Sequence, residues 1–234
     1  MADSLETERT RLRRKPSRGA HNRDAIYAIL DDGFVCHVGF SWEEQPYVLP
    51  MVYARDGDLL LLHGAQAGRM FRTLAAGVPV CATVTLLDGL VLARSARMHS
   101  VNYRSAVVLG EASEITDHVD KTAALKCIVE RVIPGRWRDV RQPNPRELRE
   151  TTLLALPIRE ASAKSRSGPP IDYEDDYAAS VWAGEIPLVT IPLAPLADTR
   201  LAKDSLLPEY VKEYVDKVAR GATSFRIPDV KRYR

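Results

Sequence analysis

Several large functional classes are excluded by what this chain lacks. Three cysteines, Cys36, Cys81 and Cys127, are an odd number with no Cys-x-x-Cys pair. That argues against a disulfide framework and a zinc site, and fits a reducing cytosol. All three sit in apolar context, which favours buried structural thiols over reactive ones. The five histidines (His21, His37, His63, His99 and His118) are scattered, without a His-x-x-x-His pair, so no metal site is expected. There is no Gly-x-Ser-x-Gly elbow for a hydrolase and no Gly-x-Gly-x-x-Gly or Walker loop for a dinucleotide or triphosphate fold. No apolar run is long enough to span a bilayer. The start, Met1-Ala2-Asp3-Ser4-Leu5-Glu6, lacks the apolar core of a signal peptide. The expected location is cytoplasmic, with no membrane partner.

What remains is an ordinary globular composition, 45% hydrophobic and 27% charged, over 234 residues, enough for one large domain. The net charge of +2 is uneven. Residues 1–18 carry Arg9, Arg11, Arg13, Arg14, Lys15 and Arg18 against Asp3, Glu6 and Glu8, which leaves the rest near neutral. A basic tail could touch nucleic acid or acidic lipid. A solvated, flexible terminus is the favoured reading, and the neutral body carries no basic stripe, so nucleic acid is not an expected partner.

Periodicity predicts a helix over residues 22–32, capped by Asn22 and ended by Gly33, with Ile26, Ile29 and Leu30 on one face. Strands are expected at 34–40, 47–54 and 58–63, the last two joined by the hairpin chemistry of Arg55-Asp56-Gly57. A helix over 68–76 turns Phe71 and Leu74 inward. Strands at 80–87 and 90–96 are expected to be joined by a hairpin at Asp88-Gly89, followed by a long strand over 104–115. A helix over 118–133 ends at Pro134-Gly135, and a final strand runs over 151–163. Short connections and few helices favour an antiparallel barrel with helices at its ends. Beyond Pro195 the chain changes character, and residues 205–220 read as an amphipathic helix with Val211, Tyr214, Val215 and Val218 on one face. The expected division is a tail over 1–18, one domain over 19–195 and a helical extension over 196–234.

The most informative stretch is His63-Gly64-Ala65-Gln66-Ala67-Gly68-Arg69, between the strand-like Leu59–Leu62 and a helix. A strand turning through small residues into a helix presents free backbone N–H groups, and Arg69 adds a bidentate donor suited to phosphate. An ordinary strand-to-helix connection is the competing reading. Gln45-Pro46-Tyr47 opens a strand upstream, and Arg104-Ser105-Ala106-Val107-Val108-Leu109-Gly110 opens another downstream. In that order and spacing, together with Ser162-Ala163-Lys164 and Trp182-Ala183-Gly184, the chain resembles the FMN-binding split-barrel superfamily. That group includes pyridoxamine 5′-phosphate oxidase and the nitroimidazole-reductase proteins, and the resemblance spans roughly Arg18 to Pro195.

The resemblance implies a mainly β fold, a split antiparallel β-barrel with peripheral helices. It also implies a homodimer holding FMN at its interface and flavin-dependent oxidoreductase chemistry on a small-molecule substrate. It places the backbone of Leu49, Pro50, Met51, Val52 and Tyr53 along the flavin ring, Leu62 and His63 beside the ribityl phosphate, and Arg69 on the phosphate, with Arg72 one turn on. Ser105 stands where the oxidase has a glutamine that reaches the flavin, and Arg104 should face the other way. Lys164 falls near the position that covers the ring, where a cation would stabilise the reduced anion; a surface lysine is the alternative. Ala54 stands where the oxidase has a phosphate-binding lysine, and the oxidase's C-terminal Arg-Leu-x-Pro ending is missing, which removes the grounds for a pyridoxine phosphate substrate. The alternatives are a non-enzymatic flavin-binding protein, or a split barrel using a deazaflavin or heme, for which His63 or His99 would be the axial ligand. Pro50 within a strand implies an edge, a bulge or a ligand-contacting position.

Overall fold

The computed structural model describes residues 4–202 and 204–224. In chain order, β1 (Gly19–Ala20) precedes α1 (Arg23–Asp32), then come β2 (Val35–Trp42), β3 (Gln45–Asp56), β4 (Leu59–Ala65) and α2 (Arg69–Ala75). These are followed by β5 (Pro79–Leu92), β6 (Ser100–Glu111), β7 (Ser113–Glu114), α3 (His118–Val132), α4 (Pro145–Glu150), β8 (Thr151–Pro157), β9 (Glu160–Arg166), β10 (Gly184–Pro187) and α5 (Glu209–Ser224). The strands run in the order β1-β9-β6-β5-β2-β3-β4-β8-β7, with β10 added to β5. The paired strands are antiparallel. This is the mainly β split barrel expected from the sequence.

The split lies in β3. Residues Gln45–Val52 pair with β2, and Tyr53–Asp56 pair with β4. One strand thus serves two half-barrels, and among the described residues its first two-thirds has a neighbouring strand on one side only. Pro46 and Pro50 fall in that edge, where a missing N–H costs no ladder bond. The main core fills the barrel with Ile26, Ile29, Leu30, Val38, Tyr53, Leu60, Leu62, Phe71, Leu74 and Leu156, among others. A second cluster, Ala54, Leu61, Ala124, Ile128, Leu153 and Ala155, lies beneath α3. Strict alternation explains the division: Leu60 and Leu62 enter the barrel, whereas Leu61 faces α3.

Three expectations are corrected. Asp88-Gly89 is not a hairpin, because β5 runs unbroken through it and slips register by one residue against β6. Asp88 is the extra residue of a bulge, held by Arg104. Residues 151–163 are not one strand: β8 pairs with β4 and β9 with β6, so the chain crosses at Ile158-Arg159 from one half-barrel to the other. The third concerns the basic tail, expected to be free. Its described part, residues 4–18, is docked. Leu5 is buried in the main core, its N–H donates to the His21 carbonyl at 2.8 Å, and its carbonyl accepts from Ala161 at 3.0 Å. Charge alone predicted a solvated segment; one leucine and a free strand edge were enough to fix it. The C-terminal helix packs on its own chain through Tyr210, whose hydroxyl accepts from Arg136 at 3.0 Å and whose ring lies under Arg138.

Candidate functional site

The strands leave one face of the sheet uncovered. Register sets Val52 opposite Val35, Pro50 opposite His37 and Val48 opposite Gly39. His37 opposes Thr83, Thr85 opposes Ser105, and Ser105 opposes Lys164. The face carries apolar side chains that water would not retain without reason: Val48 is 65% exposed and Val35 44%. At its far side Ser105 donates to the Lys164 carbonyl at 3.3 Å. Arg104 faces the other way, as alternation requires, and is committed to Asp88 and Asp32.

Arg69 stands at the opposite end, at the start of α2. Its guanidinium lies 4.4 Å over the Trp42 ring and 5.5 Å from the Tyr47 ring, and it donates to the Tyr47 hydroxyl at 3.2 Å. Two aromatic residues therefore fix an exposed cation in place, and its remaining N–H groups can meet an anion. The turn beneath it is tight: a side chain at Gly64 would collide with the Phe71 ring. The Gly68 N–H donates to Ala65 at 2.9 Å, and α2 has only seven residues, so the anion-attracting feature here is Arg69 rather than the helix end. Arg72 sits with Gln66, Phe71 and Glu114 around a separate open cavity of about 580 Å³.

His63 follows Leu62, which pairs with Tyr53, so it stands one residue past the end of the β3–β4 ladder, opposite Leu153 of β8. It is half-buried, and its Nδ1 is buried without a hydrogen-bond partner. Burial pushes its pKa down, so the imidazole is neutral near pH 7 and keeps a lone pair available. His99 differs: it is exposed, and its Nδ1 lies 3.0 Å from the Ser95 carbonyl.

The residues singled out from the sequence thus fall into three groups. Leu49, Pro50, Val52 and His63 adjoin the open edge of β3, whereas Met51, on the same strand, is partly buried against the main core. Tyr53 and Leu62 are fully buried, and the Tyr53 hydroxyl donates to the Leu30 carbonyl, so their side chains serve the core. Only the backbone of Tyr53 remains for a ligand. Arg69 lies at the β2–β3 hairpin end of the sheet, whereas Ser105 on β6 and Lys164 on β9 lie toward the other edge of the strand order. The Phe40–Tyr47 pair and the Thr85–Ser105 pair are about five strand residues apart along the sheet, or about 17 Å. One chain does not bring Arg69 and Lys164 together. Trp42 and Tyr47 were missed as partners of Arg69; the signal was a hairpin with an aromatic residue on each arm next to the Arg-bearing turn. Among the described residues no group of His, Cys, Asp and Glu side chains could hold a metal ion by itself, and no helix is long and apolar enough to cross a membrane.

The family model described as pyridoxamine 5′-phosphate oxidase matches residues 22–165. Among solved structures, the flavocytochrome Anf3 from Azotobacter vinelandii is 38% identical over 90% of this chain and 98% of its own, with a TM-score of 0.85. An FAD- and heme-binding protein from Mycobacterium smegmatis is 34% identical over 85% of this chain and 97% of its own, with a TM-score of 0.81. A 5-nitroimidazole antibiotic resistance protein from Bacteroides thetaiotaomicron, so described provisionally, is 25% identical over 62% of this chain and 85% of its own, with a TM-score of 0.53. No curated protein matches the chain.

Proposed function

Because the chain belongs to the pyridoxamine 5′-phosphate oxidase family, we propose that it is a flavin- and heme-binding oxidoreductase that works as a homodimer. The observation that carries this reading is His63. A neutral imidazole with an orphaned buried nitrogen, where the β3–β4 ladder ends and the exposed part of β3 begins, has the chemistry that would hold a heme iron. Two relatives above 30% identity, a flavocytochrome and an FAD- and heme-binding protein, support the same pairing. The name of the second also favours FAD over the FMN expected from sequence.

The residues fit a flavin as well as a heme. Arg69, clamped by Trp42 and Tyr47, would hold the phosphate next to the ribityl chain. Ser105 and Lys164 would face the ring, Lys164 supplying a positive charge near its pyrimidine edge. The separation of Arg69 from Lys164 along the sheet supports a site shared between two subunits, each contributing one end. The open edge of β3 and the apolar side chains around it would be covered by the second subunit and by the cofactors, which excludes water from the reacting positions. When bound, the flavin supplies two-electron chemistry and the heme one-electron transfer; the chain's part is to anchor, orient and shield them.

The visible spectrum of the purified protein tests this, together with chromatography of the flavin released by heat. Flavin and Soret absorption are expected together, and His63→Ala should remove the Soret band while flavin remains. A protein that carries flavin and takes up no heme when supplied with it would reduce the reading to a plain flavoprotein, for which FMN remains the sequence-based expectation. Sedimentation over a dilution series should show the loaded form dimeric at concentrations where the stripped form dissociates, since a ligand held between subunits favours the assembled state. A monomer holding its flavin tightly would rule out the shared site.

A further inference from the structure

The cations of the N-terminal segment are sorted. Arg9 pairs with Glu160, Arg11 with Glu6 and Glu8, and Arg13 with Glu8. Arg14, Lys15 and Arg18 have no carboxylate at ion-pair distance among the described residues. Lys15 takes a left-handed backbone conformation, φ 54°, that turns the chain into the short 3-10 turn Pro16–Arg18. All three side chains then line a cleft of about 360 Å³ with Arg97, His99, Arg166 and Tyr173. They also line an adjoining cleft of about 230 Å³ with Tyr103 and Lys164. Among the described residues no acidic one lines either cleft.

We propose that this double cleft binds the adenosine diphosphate moiety of a dinucleotide. Five cations converge on it, Arg14, Lys15, Arg18, Arg97 and Arg166, and Lys164, proposed above to face the flavin ring, lines the adjoining part. A docked segment that leaves half its charges paired and gathers the other half around a concave space is built for an anion, since like charges held together cost stability unless a ligand offsets them. Arg166 forms the floor. It is buried, and its guanidinium donates to the Gly168 and Pro169 carbonyls at 2.7 and 2.8 Å. Burial first, and the Arg18 charge second, weaken its hold on its proton, so an anion above it would relieve both. Arginine forks suit paired phosphates. Tyr173 and Ile171 are exposed at the rim and offer a flat and an aliphatic surface for a base. The volume lies in the range of ligand pockets, about 300–1,000 Å³.

The moiety has two sources. If the flavin is FAD, as the proposed function has it, the cleft would take its adenylate, in one subunit or across the dimer. Otherwise it would take a free nicotinamide dinucleotide. The full-length protein as purified is dialysed against ADP, with bound ADP and released flavin both measured. Wild type is compared with Arg14→Ala/Arg18→Ala and with Arg11→Ala/Arg13→Ala, which removes the same charge from the paired group. ADP uptake with loss of flavin supports the cleft as the FAD adenylate site. Uptake with flavin retained supports it as a site for a free dinucleotide. In either case Arg14→Ala/Arg18→Ala should weaken binding of ADP or FAD by at least about tenfold, as expected for losing charge-assisted hydrogen bonds. FMN affinity and circular dichroism should be unchanged, and the control pair should behave as wild type. The proposal is overturned if ADP neither binds nor displaces flavin and Arg14→Ala/Arg18→Ala keeps wild-type FAD affinity. It is equally overturned if both double variants lose affinity alike, which would mean diffuse charge. ADP binding by a protein that takes up no flavin would sink the proposed function and leave the cleft standing.

Discussion

The two ends of β3 share one backbone and differ in almost everything else. From Gln45 to Val52 the strand has one neighbour, two prolines and exposed valines. From Tyr53 to Asp56 it meets β4, and Tyr53 and Ala54 are fully buried. The contrast teaches where this sequence was shaped by folding and where by something else. A strand that only had to fold would not place Val48, Leu49 and Val52 on an open edge, next to a histidine whose buried nitrogen has no partner. Full burial on β3 stops at Tyr53; before it the strand gives the core only the partly buried Tyr47 and Met51 and turns its exposed valines outward.

The largest effect should come from breaking the buried end. Tyr53→Ala empties a core position and leaves the Leu30 carbonyl without its donor. By comparison with other buried aromatic truncations it should cost about 3–5 kcal/mol in urea unfolding. Val48→Ala, five residues away on the same strand, should change the stability of the dilute apo chain by no more than about 0.5 kcal/mol. Comparable losses for both at low concentration would mean that the open edge is not open in the single chain. A Val48 cost that appears only as concentration rises would identify the covering surface as a second copy.

The next effect concerns ligand rather than fold. Arg69→Ala removes a cation clamped by Trp42 and Tyr47 at the exposed end of the sheet. One charge-assisted hydrogen bond contributes about 1.5–3 kcal/mol, so flavin affinity in a fluorescence titration should fall roughly 10- to 150-fold. The apo melting temperature should move little. Unchanged affinity would mean that Arg69 serves only to cap the two rings.

How much could be read beforehand follows the same divide. Periodicity located α1, α2 and α3 within a few residues and picked out Ile26, Ile29, Leu30, Phe71 and Leu74 for the interior, because burial leaves a pattern of period 3.6 along a helix. The hairpin expected at Asp88-Gly89 failed because the same dipeptide suits a bulge, and only the Arg104 contact decides between them. The division of residues 151–163 into β8 and β9 was missed, since the Leu- and Ile-rich start suggested one strand and the crossing is marked by no turn residue stronger than Pro157. The docked tail was missed because its charges outnumber the one leucine that anchors it. At the site, Arg69 could be singled out from its turn. Trp42 and Tyr47 could not be joined to it, nor Arg14 and Arg18 to Lys164, because those partnerships depend on register rather than spacing.

The smallest expected effect is a pH dependence, and it would sharpen the boundary at Val52. Burial lowers the pKa of His63, so the folded apo chain resists a proton that the unfolded chain accepts at about 6.5. Below that value the unfolded state binds more protons than the folded one. The stability associated with a neutral His63 is therefore fully present above about pH 6.5 and is lost as pH falls toward the depressed folded value. The apo melting temperature should decline modestly between about pH 7 and pH 5.5. His63→Gln, which cannot titrate, should flatten that part of the curve. With a heme bound, the same group would behave differently: a ligating imidazole keeps its lone pair on the iron, so acidification would act on heme retention before it acts on the fold. A Soret band that decays on acidification ahead of the melting transition would join the orphaned nitrogen to the heme. A His63→Gln curve parallel to wild type in the apo protein would mean that the ring is solvated, and that the boundary between the core and the open edge lies before residue 63 on β4.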